Sequence, residues 1–273
     1  MRGSGWRSIG ALVAAALFAL PLLLLVSGSL RPAGSPPPPT PQLVPDPASV
    51  GSYDRAVELA GLGQATLVSL LVAALAVPLS VLVASWAGFA MTRLPPRLAR
   101  VFVGAALIAL MVPVTALLVP RFVLYRLLNL TDTLVPLVAP ALVATSPFYV
   151  LVYYVAFRAV PRDLYDAGEL ADVSPFQMWR QVAMPLVRPV TVAVAALIFL
   201  LTWSSFLEPL VYLYDRDLFT VPLALRSLST LDPADYPVLL AGSVLASIPA
   251  LLLFAVAQRR FLHKYRGPGW LGR

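Results

Sequence analysis

The chain has 273 residues, 59% hydrophobic and 12% charged, with a net charge of +7, one histidine and no cysteine. A mean hydropathy of +0.83 and a charged fraction about half the roughly 25% of a soluble domain exclude a water-soluble globule and predict an all-α integral membrane protein. Without thiols there is no disulfide, thiolate metal site or cysteine nucleophile. The one lysine, Lys264, follows His263 instead of a glycine, so no GxxxxGK[ST] phosphate loop exists.

Six apolar runs each supply the roughly 20 helical residues that cross a bilayer. They are about Ile9 to Val26, Ala65 to Ala90, Val101 to Pro120, Leu134 to Phe157, Val190 to Tyr212 and Tyr236 to Ala257. Barrel strands would be half as long and would alternate, so the spans read as helices. Residues 1–26 hold Arg2, Arg7 and the first span. That apolar run exceeds the usual 7 to 15 residues of a leader, so a retained helix is the preferred reading and a cleaved leader the alternative. Residues 27–64 include SPPPPTP at Ser35 to Pro41, then Pro45 and Pro47, and read as an extended extracytoplasmic strap. Residues 65–257 carry the other five spans, and residues 258–273 form a basic tail with His263 at its surface. Pro78, Pro113, Pro136, Pro140 and Pro147 read first as packing features and second as hinges. The connection Leu213 to Asp235 mixes Asp215, Arg216, Asp217 and Arg226 with an apolar PLAL. It is either a solvated connector or a segment that touches the pore or an external protein.

Orientation follows from the basic residues. With both termini in the cytoplasm, 14 of the 20 lie on inside segments, as the positive-inside rule requires. The positive charge is then an orientation signal. No basic stripe is interleaved with aromatics, so no nucleic-acid partner is expected.

The segment Pro161 to Pro189 is a polar island between apolar runs. Pro161 suits a first helical turn. Leu164, Ala167, Gly168 and Ala171 fall at i, i+3, i+4 and i+7, which predicts a helix with one small-residue face. Asp172 and Val173 interrupt it. Ser174 and Pro175 open a second helix in which Phe176, Trp179 and Ala183 share a side, with Pro185 and Pro189 as stops.

The island resembles the EAA loop of the membrane-spanning subunits of binding-protein-dependent ABC importers, whose pattern is E-A-A, three residues, G, about nine residues and I-x-L-P. Asp166, Ala167 and Gly168 stand where that family has E-A-A, and Val182, Met184 and Pro185 match the end. The pattern's glycine falls on Asp172, one of the few non-glycine residue types that tolerate a left-handed backbone. The likeness extends along nearly the whole chain and is to the carbohydrate branch, through SLRP at Ser29 to Pro32, SYDRAVEL at Ser52 to Leu59 and Trp203 to Leu225. In that last stretch Trp203, Phe206, Pro209, Leu210, Leu218, Thr220 and Pro222 fit, while Ser204 and Ser205 replace Asn and Asp.

The resemblance implies a type I ABC importer permease with six transmembrane helices and a two-helix cytoplasmic coupling loop at 161–189. It implies a multi-pass subunit of a prokaryotic cell membrane, without chemistry of its own. A second permease would complete the path, two ATPase subunits would bind ATP and magnesium below, and an extracytoplasmic solute-binding protein would sit above. Arg162, Asp163, Asp166, Ala167, Gly168, Glu169, Asp172, Phe176 and Pro185 are the expected ATPase-coupling residues. Trp203, Ser205, Glu208, Asp215 and Asp217 are candidates for the substrate path or the binding-protein contact. Glu208 is the one ionisable residue near a span interior, a functional candidate by default, although water can reach the end of its helix. Trp203 is either an interfacial anchor or a stacking platform for a sugar. The expected cargo is a disaccharide or oligosaccharide, with an amino sugar or glycerol phosphate as alternatives. A secondary transporter, which should line its path with ionisable groups or repeat its spans, fits less well.

Overall fold

Three long apolar stretches stay helical through a single internal proline, Pro21, Pro78 and Pro249, while other stretches break where proline and polar residues cluster. The structure, a computed structural model, describes residues 4–143, 146–231 and 235–264. Arg2 and the tail beyond residue 264, both used in the orientation argument, and Asp232, a further acidic residue of the Leu213 to Asp235 connection, lie outside the described residues. No strand occurs among the described residues.

The helices are α1 (Ser4–Ser29), α2 (Gly51–Ala60), α3 (Leu62–Thr92), α4 (Pro96–Leu110), α5 (Leu118–Leu127), α6 (Val135–Val143) and α7 (Pro147–Arg158). Then come α8 (Arg162–Leu170), α9 (Pro175–Leu186, with a π-helical centre), α10 (Arg188–Trp203), α11 (Leu207–Tyr212), α12 (Val221–Leu231) and α13 (Tyr236–Lys264). Four stretches are long and apolar enough to cross a membrane: Ile9–Ser29, Leu62–Thr92, Val135–Arg158 and Tyr236–Val256. Two more spans count only as bent pairs, Pro96–Leu110 with Val114–Leu127 at 84° and Pro175–Leu186 with Arg188–Trp203 at 85°.

The third apolar run is therefore not a straight rod, and the fifth begins just beyond a bend at Val187. Pro113 stands in the first bend, where a missing N–H and a fixed φ favour a new start over continuation. Pro78, in contrast, lies inside the unbroken α3. The fifth run ends at Trp203, and Glu208 sits on the short α11 beyond it. Further departures are that Gly51–Ala60, expected as extended strap, and Val221–Leu231, expected as loop, are helical.

The chain forms two compact units. One comprises Met1–Leu67 with Phe219–Pro249. In it Gly242 lies where α2, the start of α3 and α12 meet, and a Cβ there would come within 2.7 Å of Leu225. The strap is tied down by Asp235, whose Oδ1 accepts from the Gly34 N–H at 2.9 Å and whose Oδ2 lies 3.3 Å from Arg55.

The other unit comprises Val68–Leu218 with Ala250–Arg273. Tyr149, Tyr153 and Phe157 recur every fourth residue on α7 and are buried, which makes one aromatic face. That face meets Ala84 and Phe89 of α3, Met178, Trp179 and Ala183 of α9, and Val194 and Ile198 of α10. Close approach of α3 to α7 requires Gly88, because a Cβ there would lie 2.7 Å from Tyr153 Cβ and 2.8 Å from the Tyr154 backbone N.

Candidate functional site

The island has two halves of opposite character. Asp163 in the first turn of α8 complements the positive helix end. None of the residues of α8 is buried; Leu164 is 42% and Leu170 91% exposed, and Ala167 is exposed beside them. Only Tyr165 and Gly168 turn toward the protein. A Cβ at Gly168 would run into the Met178 thioether. Gly168 therefore belongs to the inner side of α8 and not to the small outward face read from its spacing, which reduces to Leu164, Ala167 and Ala171.

The turn after α8 is a Schellman closure. The Asp172 N–H donates to the Glu169 carbonyl and the Val173 N–H to the Gly168 carbonyl, at 3.1 and 3.0 Å. Asp172 carries the required left-handed backbone, with φ +52°. Its short side chain permits what the related pattern assigns to glycine. Ser174 then makes a capping box: its hydroxyl accepts from the Gln177 N–H at 3.3 Å, and Gln177 Oε1 accepts from the Ser174 N–H at 3.1 Å.

The second half, α9, is built into the core. Met178, Trp179 and Ala183 are buried, and Trp179 meets Trp86 of α3 edge-on at 5.2 Å between ring centres. Phe176 is half exposed and packs on both tryptophans. Pro185 does not stop this helix. Residues Met178–Ala183 widen into a π-helix, the Met184 N–H reaching back to the Trp179 carbonyl, so the proline ring avoids the carbonyl it would strike in an α-helix. The chain turns only at Val187, and Pro189 lies in the first turn of α10.

Polar contacts hold α8 against the spans. Arg93, at the end of α3, pairs with Glu169, and its guanidinium lies 4.9 Å from the Tyr165 ring centre and 5.2 Å from that of Phe89. The Tyr165 hydroxyl donates to the Phe157 carbonyl at 3.1 Å. Burial pushes the Tyr165 phenol up from its ordinary range, against the lowering by Arg93. Arg162, Asp163 and Asp166 are exposed on the rim.

The candidates for the substrate path separate. Trp203 is 6% exposed and stacks on Phe199 at 5.7 Å, so its ring is enclosed by protein. Glu208 Oε1 lies 3.4 Å from Arg121 of α5, and the Ser205 hydroxyl lies 3.4 Å from Oε2. Glu208, Ser204, Ser205, Phe206 and Thr115 line one pocket of about 390 Å³. Asp215 and Asp217 are exposed; the Asp217 N–H donates to Asp215 Oδ1 at 3.0 Å. Their segment is anchored by Asp132, whose Oδ1 accepts from the Tyr214 and Asp215 N–H groups at 2.9 Å each. Those two donors hold the Asp132 carboxyl below its ordinary range.

Sequence reasoning missed Arg93, Arg121 and Asp132. Arg121 was findable, since a lone carboxylate near a span interior calls for a cation at similar depth, and Arg121 directly follows the third apolar run. Asp132 had no such signal.

The family described as binding-protein-dependent transport system inner membrane components matches residues 76–267. The chain belongs to this family. The permease is 32% identical over 263 residues to the arabinooligosaccharide transport permease AraQ of Halalkalibacterium halodurans, covering 93% of this chain and 92% of that one. It is 27% identical to the trehalose transport permease SugB of Mycobacterium tuberculosis, over 96% and 95% of the two chains. It is 29% identical to the lactose transport permease LacG of Rhizobium radiobacter, over 73% and 72%. Among solved structures it resembles a chain of a bacterial ABC transporter that imports the acidic polysaccharide alginate, with TM-score 0.78, 18% identity and coverage of 96% and 98%. The fold is thus that of a type I ABC importer permease, embedded in the membrane. The permease is the membrane component of its system, and ATP hydrolysis resides on a separate subunit.

Proposed function

We propose that this permease imports a disaccharide or oligosaccharide, forming half of a translocation path with a second permease. Two ATPase subunits, which carry the ATP and magnesium, dock on α8, and a solute-binding protein delivers the sugar on the other side. Both termini then lie in the cytoplasm, in keeping with the bias of basic residues. The observation that carries this reading is the island: an exposed apolar strip of Leu164, Ala167 and Leu170 joined to a second helix whose Met178 and Trp179 are buried. A solvated connector would have no reason to present such a strip. Because α9 is packed on α3, α7 and α10, movement of ATPase subunits against α8 reaches the spans as a rigid-body displacement.

The substrate class rests on the names of the relatives, which import arabinooligosaccharides, trehalose and lactose. An amino sugar is the alternative, since a diacetylchitobiose permease of Streptomyces coelicolor is 29% identical over 81% of this chain and 74% of its own. Glycerol phosphate is a further one. Glu208, Ser205 and Arg121 are the polar groups proposed to meet sugar hydroxyls in transit.

The test is Ala167→Glu in the reconstituted importer. The expected result is loss of ATPase co-purification, or loss of binding-protein-stimulated hydrolysis, with the membrane subunits still folded. Unchanged assembly and stimulation would overturn the docking assignment.

A further inference from the structure

Beside α8, a cleft of about 720 Å³ opens between the ends of α3 and α7 and the starts of α4 and α8. Four arginines line it, Arg93, Arg100, Arg158 and Arg162, against a single carboxylate, Asp166. Arg93 is engaged by Glu169, which lies outside the lining. Among the described residues Arg100, Arg158 and Arg162 make no ion pair; Arg100 reaches only the Pro96 carbonyl, and Arg158 lies over the Tyr154 ring. The lining also includes the apolar, buried Met91, Ala99, Phe157 and Val160.

From this juxtaposition we infer that the cleft binds the phosphate of an anionic phospholipid, with the guanidinium groups on the headgroup and the apolar part of the lining against the start of an acyl chain. Depth favours a lipid over a soluble anion or an acidic protein segment. The cleft lies where two bilayer-crossing stretches, Leu62–Thr92 and Val135–Arg158, reach their ends, the level at which headgroups sit. Guanidinium groups match phosphate in paired hydrogen bonds, and the excess of positive charge selects an anionic headgroup over a zwitterionic one. A lipid seated here touches Arg162 and Asp166 on α8 and competes with Glu169 for Arg93, so headgroup occupancy adjusts how α8 is held.

Native mass spectrometry of the purified importer complex, titrated with phosphatidylglycerol or phosphatidylcholine, tests this without recourse to transport activity. Wild type is expected to bind phosphatidylglycerol preferentially. The double variant Arg100→Gln/Arg158→Gln should lose roughly 30-fold in that affinity, at about one surface-cation contribution per residue. The milder Arg158→Gln should lose about fivefold and serves if the double variant does not fold. The lysine pair Arg100→Lys/Arg158→Lys restores the charge but not the paired hydrogen bonds, and should recover only part of the binding. Equal affinity of wild type and the glutamine variants, or equal uptake of the two lipids, would overturn the proposal. So would displacement of the lipid by millimolar inorganic phosphate, which would mark a free-anion site. Loss of the ATPase subunits from the variant with lipid binding intact would assign the cleft to a protein contact instead. Failure of the Ala167→Glu test leaves these lipid readouts unaffected, so the two proposals fail separately.

Discussion

The two halves of the island are neighbours in sequence but differ in composition and role, α8 carrying four charged residues and α9 only Arg180. Helix α8 buries none of its residues and leaves Leu170 91% exposed, whereas α9, a few residues further on, buries Met178, Trp179 and Ala183 in the aromatic core. The first half offers a surface, and the second gives that surface a fixed foundation. A docking element on a loose loop would absorb an applied displacement; one continuous with the packed core transmits it. The left-handed turn at Asp172 and the Ser174 capping box leave little slack between the two.

The contrast can be broken most strongly at the foundation. Trp179→Ala removes a buried indole from its contacts with Trp86 and Phe176 and should cost about 3 to 5 kcal/mol, read as thermal unfolding of the detergent-solubilised permease. Leu170→Asp should do the reverse. Stability stays within about 0.5 kcal/mol, as expected at an exposed site, while affinity for the ATPase subunits falls by at least about tenfold in a titration of the purified components. The smallest effect is expected at Asp132, far along the chain from both halves. Its carboxyl is lowered by two backbone N–H donors, so the stability it adds is present above the unfolded value of about 4 and is lost as pH falls through the lower folded value. Asp132→Asn keeps an acceptor and tolerates the same left-handed backbone, with φ +57°, so it should flatten the acid limb of a melting-temperature profile and leave ATPase docking unchanged.

The spans and the existence of a two-helix island are legible in the sequence because apolar length and helical spacing are local properties. The inward role of Gly168 is not, since spacing places it with Ala167 and only the position of Met178 on a second helix decides which way it turns. Pro185 misleads as well. A proline in sequence signals a stop, whereas α9 runs one residue further, to Leu186, through the π-helical widening at Met178–Ala183. The bend at Pro113 likewise lies inside composition that reads as continuous span. The pairing of Glu208 with Arg121 joins residues 87 apart, so periodicity says nothing of it and only the similar depth of a carboxylate and a cation points to it.

The absence of native cysteine makes the central claim directly measurable. Single-cysteine variants Leu170→Cys and Met178→Cys would be exposed to a bulky, membrane-impermeant maleimide in inside-out vesicles, with and without the ATPase subunits. The account predicts that position 170 reacts in the free permease and is protected once the ATPase subunits bind, while position 178 stays unreactive in both. Equal labelling of position 170 with and without the ATPase subunits would contradict it.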